Sequence, residues 1–307
     1  MSEQKINKEQ MSGPLSLKEK GPGDEVEFYI GWMPKAPQSF AKHVKNVLLV
    51  LFPAALIVAL LLASYQKKFS AGNFEYGKLT KVKGIYYNQP VPVLKVVSGK
   101  DMWGNLSYIT IPLVGYGKHG AETAIMEIEK EKNTTLNNKE IILRGSLIYS
   151  EGKTLMQVSK DDNPVISIGK EADASIAPVK KELGNQIVKG EIIDPKCYFG
   201  VMKPGEGKVH RDCAIRCILG GIPPLLKVQN EKGEENFYFI VGPGGEKMNE
   251  AVQDYVAEPV SINARVVQQD DWIVLYVNDN KSITRISKLE LFRPGLEVLA
   301  CAGNNNY

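Results

Sequence analysis

The chain has 307 residues, of which 43% are hydrophobic and 24% charged, with a formal net charge of +3. That length holds two modest domains with connecting segments, and the composition excludes a disordered chain or a multi-span membrane protein. The small net charge gives no argument for a nucleic-acid partner, and four cysteines are too few for a disulfide-dense miniprotein.

Residues 1–46 read as a polar leader. Its first 24 residues are rich in Lys, Glu, Gly and Ser, a composition that suits a flexible segment. Residues 26–45 gather Phe28, Tyr29, Trp32, Met33 and Phe40 beside basic residues. Such a stretch fits a membrane interface, the face of another membrane subunit, or a plain juxtamembrane linker.

From Val47 to Tyr65 run 19 residues without a formal charge. As a helix they span about 28 Å, close to the hydrocarbon thickness of a bilayer. Lys42 and Lys45 on one side, and Lys67 and Lys68 on the other, can snorkel to the headgroups. Pro53 falls in the second turn, where a membrane helix tolerates it. A single transmembrane helix in a lipid bilayer is the expectation. No small-residue cleavage site follows the apolar run, which argues against a cleaved signal peptide. The flanking lysines are nearly balanced, so charge alone does not orient the span. A short polar N-terminus before a large C-terminal body places that body outside the cytoplasm, in the periplasm if the source is bacterial.

The rest of the chain repeats itself. Val82-Lys83-Gly84, Val91 to Val96 (VPVLKV) and Leu113-Val114-Gly115-Tyr116-Gly117 come in the same order as Val188-Lys189-Gly190, Pro223 to Val228 (PPLLKV) and Ile240-Val241-Gly242-Pro243-Gly244. A helical run follows each last block: Ala121, Ala124, Ile125 and Ile128 in one, Met248, Val252, Tyr255 and Val256 in the other. Strand-like pairs come next, residues 140–149 with 153–159 and residues 259–268 with 272–278, with turn chemistry at Gly152 and at Asp270-Asp271.

Each unit therefore reads β-β-β-α-β-β, an element order that resembles the OB-fold. The predicted fold class is mainly β with short helices: a transmembrane helix followed by two tandem OB-like small barrels. The barrels cover 75–168 and 186–287, joined by a polar linker at 169–185 and followed by a tail at 288–307.

Gly84 precedes Lys95 by 11 positions, whereas Gly190 precedes Lys227 by 37. The second unit thus carries an insert at about 191–222, between its first two strands. Three of the four cysteines and one of three histidines fall inside it: Cys197, His210, Cys213 and Cys217. In an OB-like barrel this loop faces ligands, and function is commonly grafted on such loops.

Three chemistries compete for the cluster. Outside the cytoplasm a disulfide is the default, drawn from Cys197, Cys213, Cys217 and the tail residue Cys301. One His and three Cys also make a tetrahedral zinc set, and thiolate with imidazole suits copper. The Cys213-x3-Cys217 element with His210 is similar to copper-delivery and binuclear-copper sites on other folds, without their His-x2-Met partner after Cys217. Thiol catalysis is the third: Arg211 and Arg216 beside Cys213, with His210 as base, resemble the H-x2-C-x2-R string of cysteine transpeptidases, without their upstream histidine motif. Elsewhere, Gly242–Gly245 could hold an anion at a helix start or simply turn a strand into a helix. His119 reads as a solvated turn residue.

The expectation is a membrane-anchored accessory or binding subunit of a larger membrane assembly, with bilayer and neighbouring subunits as partners and no nucleic acid. A redox protein or enzyme using Cys213 or Cys217 with His210 is the rival.

Overall fold

A computed structural model describes residues 38–65, 72–161, 163–230 and 232–291. The leader aromatics Phe28, Tyr29 and Trp32 and the tail residue Cys301 lie outside the described residues. The chain divides after residue 68 into two compact units.

The first unit contains α1, Gln38–Tyr65, with Pro53 inside it. The helix starts nine residues before the uncharged run, because Gln38 to Asn46 hold good helix formers and the run's apolar side chains continue the same turn. Its stretch Phe40–Tyr65 is long and apolar enough to cross a membrane, and none of its most apolar window is buried.

The second unit is mainly β. In chain order its elements are β1 (Asn73–Phe74), β2 (Thr80–Tyr87), β3 (Val93–Lys100), β4 (Leu106–Val114), α2 (Glu122–Glu131), β5 (Lys139–Ser150), β6 (Lys153–Val158) and β7 (Val165–Glu171). Then follow β8 (Lys180–Ile193), α3 (Arg211–Leu219), β9 (Leu225–Gln229), β10 (Glu235–Val241), α4 (Asn249–Val252), β11 (Pro259–Gln269), β12 (Trp272–Tyr276), β13 (Ile283–Arg285) and α5 (Lys288–Leu291).

Two five-stranded barrels close in the same way. In the first, β2 pairs with β3, β3 with β4, β4 with β6, β6 with β5, and β5 returns to β2. All these pairs are antiparallel except β4–β6, where Leu113 lies beside Met156. In the second, the ring runs β8, β9, β10, β12, β11 and back to β8, with β10–β12 its single parallel pair. In both, a short helix bridges the third and fourth ring strands.

Equivalent glycines mark equivalent crossings. A Cβ on Gly84 would sit 2.7 Å from the Lys95 carbonyl oxygen, and one on Gly190 2.4 Å from that of Lys227. Both positions therefore need glycine, because the first two ring strands approach too closely there for any side chain.

The segment expected to be a polar linker at 169–185 is mostly paired strand. β7 runs to Glu171 against β5, and β8 begins at Lys180 and pairs with β11 along its length. Its side chains from Lys180 to Ile187 stay largely in solvent, so the backbone ladder rather than apolar burial holds them.

Each barrel has its own core. Tyr86, Leu94, Leu113, Ile125, Leu143 and Met156 fill the first. Ile192, Leu226, Ile240, Val260, Ile262 and Leu275 fill the second, with Ala214 and Ile218 of α3. A third cluster joins them: Tyr87, Val93 and Ile148 pack with Phe199, Cys217, Phe237, Phe239 and Trp272. Polar contacts rivet the same junction. Lys95 Nζ meets Asp270 Oδ1 at 2.9 Å, both largely buried. Thr110 N–H donates to Asp271 Oδ1 at 3.0 Å, and Trp272 Nε1–H donates to the Thr110 carbonyl at 2.9 Å.

Candidate metal centre

The insert runs from Asp194 to Pro224, between β8 and β9. The sequence predicts a ligand-facing loop; in the structure the insert's buried half packs into clusters with both barrels. Its apolar residues explain this: Tyr198, Phe199 and Ile222 are buried in the cluster shared by both barrels, with Phe199 edge-on to Phe237, and Ile218 is buried in the second barrel's core.

Local structure sets each donor. Asp194 ends β8 by accepting the Lys196 N–H on its Oδ1 at 2.9 Å. This opens a single π-helical turn at Cys197–Val201, with Cys197 at its first position. His210 closes a 3₁₀ turn, Lys208–His210, directly before α3. Cys213 and Cys217 are four apart on α3, which puts both sulfurs on one face of the helix.

The four expected residues fall into two overlapping groups rather than one. One ligand atom each from Cys197, His210 and Cys213 lies within 4.8 Å of the others, as does one each from Asp194, Cys197 and Cys217. Cys197 is the shared member. Its Sγ is 4.0 Å from that of Cys213. Sulfurs bound at about 2.3 Å to one tetrahedral zinc stand about 3.8 Å apart, whereas a disulfide needs about 2.05 Å. No disulfide forms among the described residues, where Cys197, Cys213 and Cys217 are free thiols.

Two polar atoms at the site are under-satisfied. His210 Nε2 and Asp194 Oδ2 are buried with no hydrogen-bond partner among the described residues, an arrangement that is costly unless something binds there. Burial holds the His210 imidazole below its usual pKa, against the opposing pull of Asp194, so it is a neutral donor at pH 7. The Cys217 sulfur beside it, burial and the Asp194 charge push the Cys197 thiol up; burial does the same, first of all, for Cys213.

Two residues outside the sequence-based set complete the centre. Asp194 stands three before Cys197 in Asp-Pro-Lys-Cys, where a carboxylate before a proline reads as a turn residue. Lys196 is buried, and its ammonium donates to the carbonyls of Gly115 at 2.8 Å and Gly117 at 2.6 Å. Burial lowers its pKa to about 8. It ties the donor turn to the loop after β4 in the first barrel. Beside it, Gly120 N–H donates to the Gly220 carbonyl at 2.9 Å. No sequence signal links these residues, which lie far apart along the chain.

Neither a scan of protein-family models nor a search of curated proteins finds a match to this chain. The site must be read from its own chemistry.

The other candidates are drawn elsewhere. Arg211 pairs with Glu258 and donates to the Asp254 carbonyl, so its charge is spent on the α4 side. Of the thiols the catalytic reading would use, burial pushes that of Cys213 up. The Gly242–Gly245 turn is occupied by its own chain: Glu246 Oε2 accepts the Gly244 N–H at 2.8 Å. His119 is exposed in its turn.

Proposed function

We propose that this chain is a single-pass, membrane-anchored accessory or binding subunit whose body is a pair of tandem OB-like barrels locked together by a metal ion. The ligands are Cys197, His210, Cys213 and Cys217, with Asp194 beside them. The observation that carries this reading is the double convergence on Cys197: five buried or half-buried donors in two overlapping sets, each within 4.8 Å. Three sulfurs and one imidazole are a zinc set, and they also suit copper.

Support for the OB assignment comes from the ring order, in which strands one, two, three, five and four close on one another with a helix before the fourth. The repetition of that ring, with Gly84 and Gly190 in matching crossings, supports an internal duplication. The apolar stretch of α1 supports anchoring in a bilayer. The body then lies outside the cytoplasm, with other membrane subunits as partners.

Metal quantification on the purified full-length chain tests the centre. About one equivalent of zinc or copper, lost in Cys213→Ser, is the expected result; no metal and fewer than two free thiols would overturn it. Impermeant thiol or lysine labelling of intact cells tests the side: labelling of the body from the cytoplasmic face alone contradicts the proposed topology.

A second reading has its own observation. Cys197 and Cys213, with sulfurs 4.0 Å apart, are a described pair within reach of a disulfide after side-chain rotation. Mass spectrometry under non-reducing conditions separates the two, since a Cys197–Cys213 crosslink removes two of the ligands.

A further inference from the structure

The β3–β4 hairpin is longer than its barrel needs. Val93, Leu94 and Lys95 are buried, but from Val97 to Leu106 every residue is exposed. Its tip reads Asp101-Met102-Trp103-Gly104-Asn105, and Met102 is 85% and Trp103 78% exposed. This tip is held in shape. Asp101 Oδ1 accepts the Trp103 and Asn105 N–H groups at 2.9 and 2.8 Å, and its Oδ2 accepts Asn105 Nδ2 at 3.1 Å. A fixed turn that keeps a tryptophan and a methionine in water marks a contact surface.

Register places this tip at a particular end of the barrel. Ile85 lies opposite Lys95 and Tyr87 opposite Val93, so the start of β2 and the end of β3 point the same way. The turn between β1 and β2 lies at that end and adds Tyr76, 75% exposed, and Leu79. Its exposed cations are Lys78, Lys81 and Lys100. Of the acids at this end, Glu75 is engaged by Lys78 and Tyr149 and Asp101 by its own turn, while Glu151 of the β5–β6 turn is exposed. Aromatic and apolar tips among lysines are the chemistry of a bilayer's headgroup boundary.

Little sequence separates α1 from this barrel. Gly72 comes seven residues after Tyr65, the last residue of α1, which allows at most about 25 Å of extended chain. We propose that this end of the first barrel, led by Trp103 and Met102, seats in the headgroup region of the bilayer that α1 crosses. The inference rests on the reading of α1 as a membrane anchor.

The test uses the full chain in vesicles whose lipids carry bromine near the headgroup end of their acyl chains. Trp32 and Trp272 are common to the wild type and Trp103→Phe, so the difference between their emission spectra isolates Trp103. The expected result is a blue-shifted Trp103 emission that loses most of its intensity in brominated vesicles. Solvent-like emission without that loss, in a chain that floats with the vesicles after an alkaline wash, overturns the seating and leaves the anchor intact. Protection of Trp103 from aqueous iodide without quenching by bromine assigns the tip to a protein surface and overturns it too. A chain stripped from the vesicles by the wash overturns both the anchor and the seating.

Discussion

The first two ring strands of one barrel are joined by residues 88–92, and those of the other by residues 194–224. The same closure, the same parallel pair and the same glycine crossing frame both connections. In the short one the chain simply turns. In the long one it makes a donor turn, a 3₁₀ turn and α3, and buries itself against the neighbouring barrel. The scaffold tolerates a long connection because loop closure costs grow slowly with length. What the added residues bring is a junction: their aromatics fill the space between barrels, with Cys197 and Cys217 buried in the same cluster.

The comparison breaks most sharply at the donors. Cys197→Ser, which removes the ligand common to both donor sets, is expected to abolish metal binding and cost the body about 3 kcal/mol or more, since structural zinc supplies about 10–16 kcal/mol in small fingers. Cys301→Ser leaves both metal content and melting temperature unchanged; a loss of either in that variant would assign the tail a role in the centre. Metal analysis with thermal unfolding reads both.

The rivets between barrels come next. Asp270→Ala leaves the buried Lys95 ammonium without its partner, and the expected destabilisation is about 3 kcal/mol, measured by urea unfolding. A cost near zero would mean that the barrels do not depend on each other there. The glycine crossings then sharpen the likeness of the scaffolds. Gly84→Ala and Gly190→Ala each force a Cβ against a carbonyl oxygen, with expected costs of about 1–3 kcal/mol apiece. Clearly unequal costs would argue against equivalent scaffolds. The smallest effect belongs to the half-exposed Lys247–Glu122 pair at 3.1 Å: Lys247→Ala changes stability by less than about 1 kcal/mol.

Much of the scaffold was legible in the chain. The strand pairs around Gly152 and Asp270-Asp271 show because alternation and turn residues are local signals. The helix over Glu122–Glu131 shows because Ile125 and Ile128 fall on one buried face. The place of the insert followed from counting residues between two like blocks. The first half of β8 did not show, since Lys180 to Ile187 carry no buried alternation and are strand only through pairing with β11. Nor did the burial of the insert. Lys196 reaching Gly115 and Gly117, and Phe199 joining Ile148, are contacts between distant parts of the chain that no local pattern encodes. At the centre, the cysteines and His210 were legible because soft donors are rare and clustered. Asp194 was not, because a lone carboxylate before a proline is read as a turn.

X-ray absorption at the metal edge of the purified full-length protein tests the central claim most directly. The account predicts a first shell of sulfur scatterers at about 2.3 Å with one imidazole nitrogen near 2.0–2.1 Å, lost in Cys197→Ser. A shell of oxygen and nitrogen without sulfur, or a metal that remains in Cys197→Ser, would contradict it.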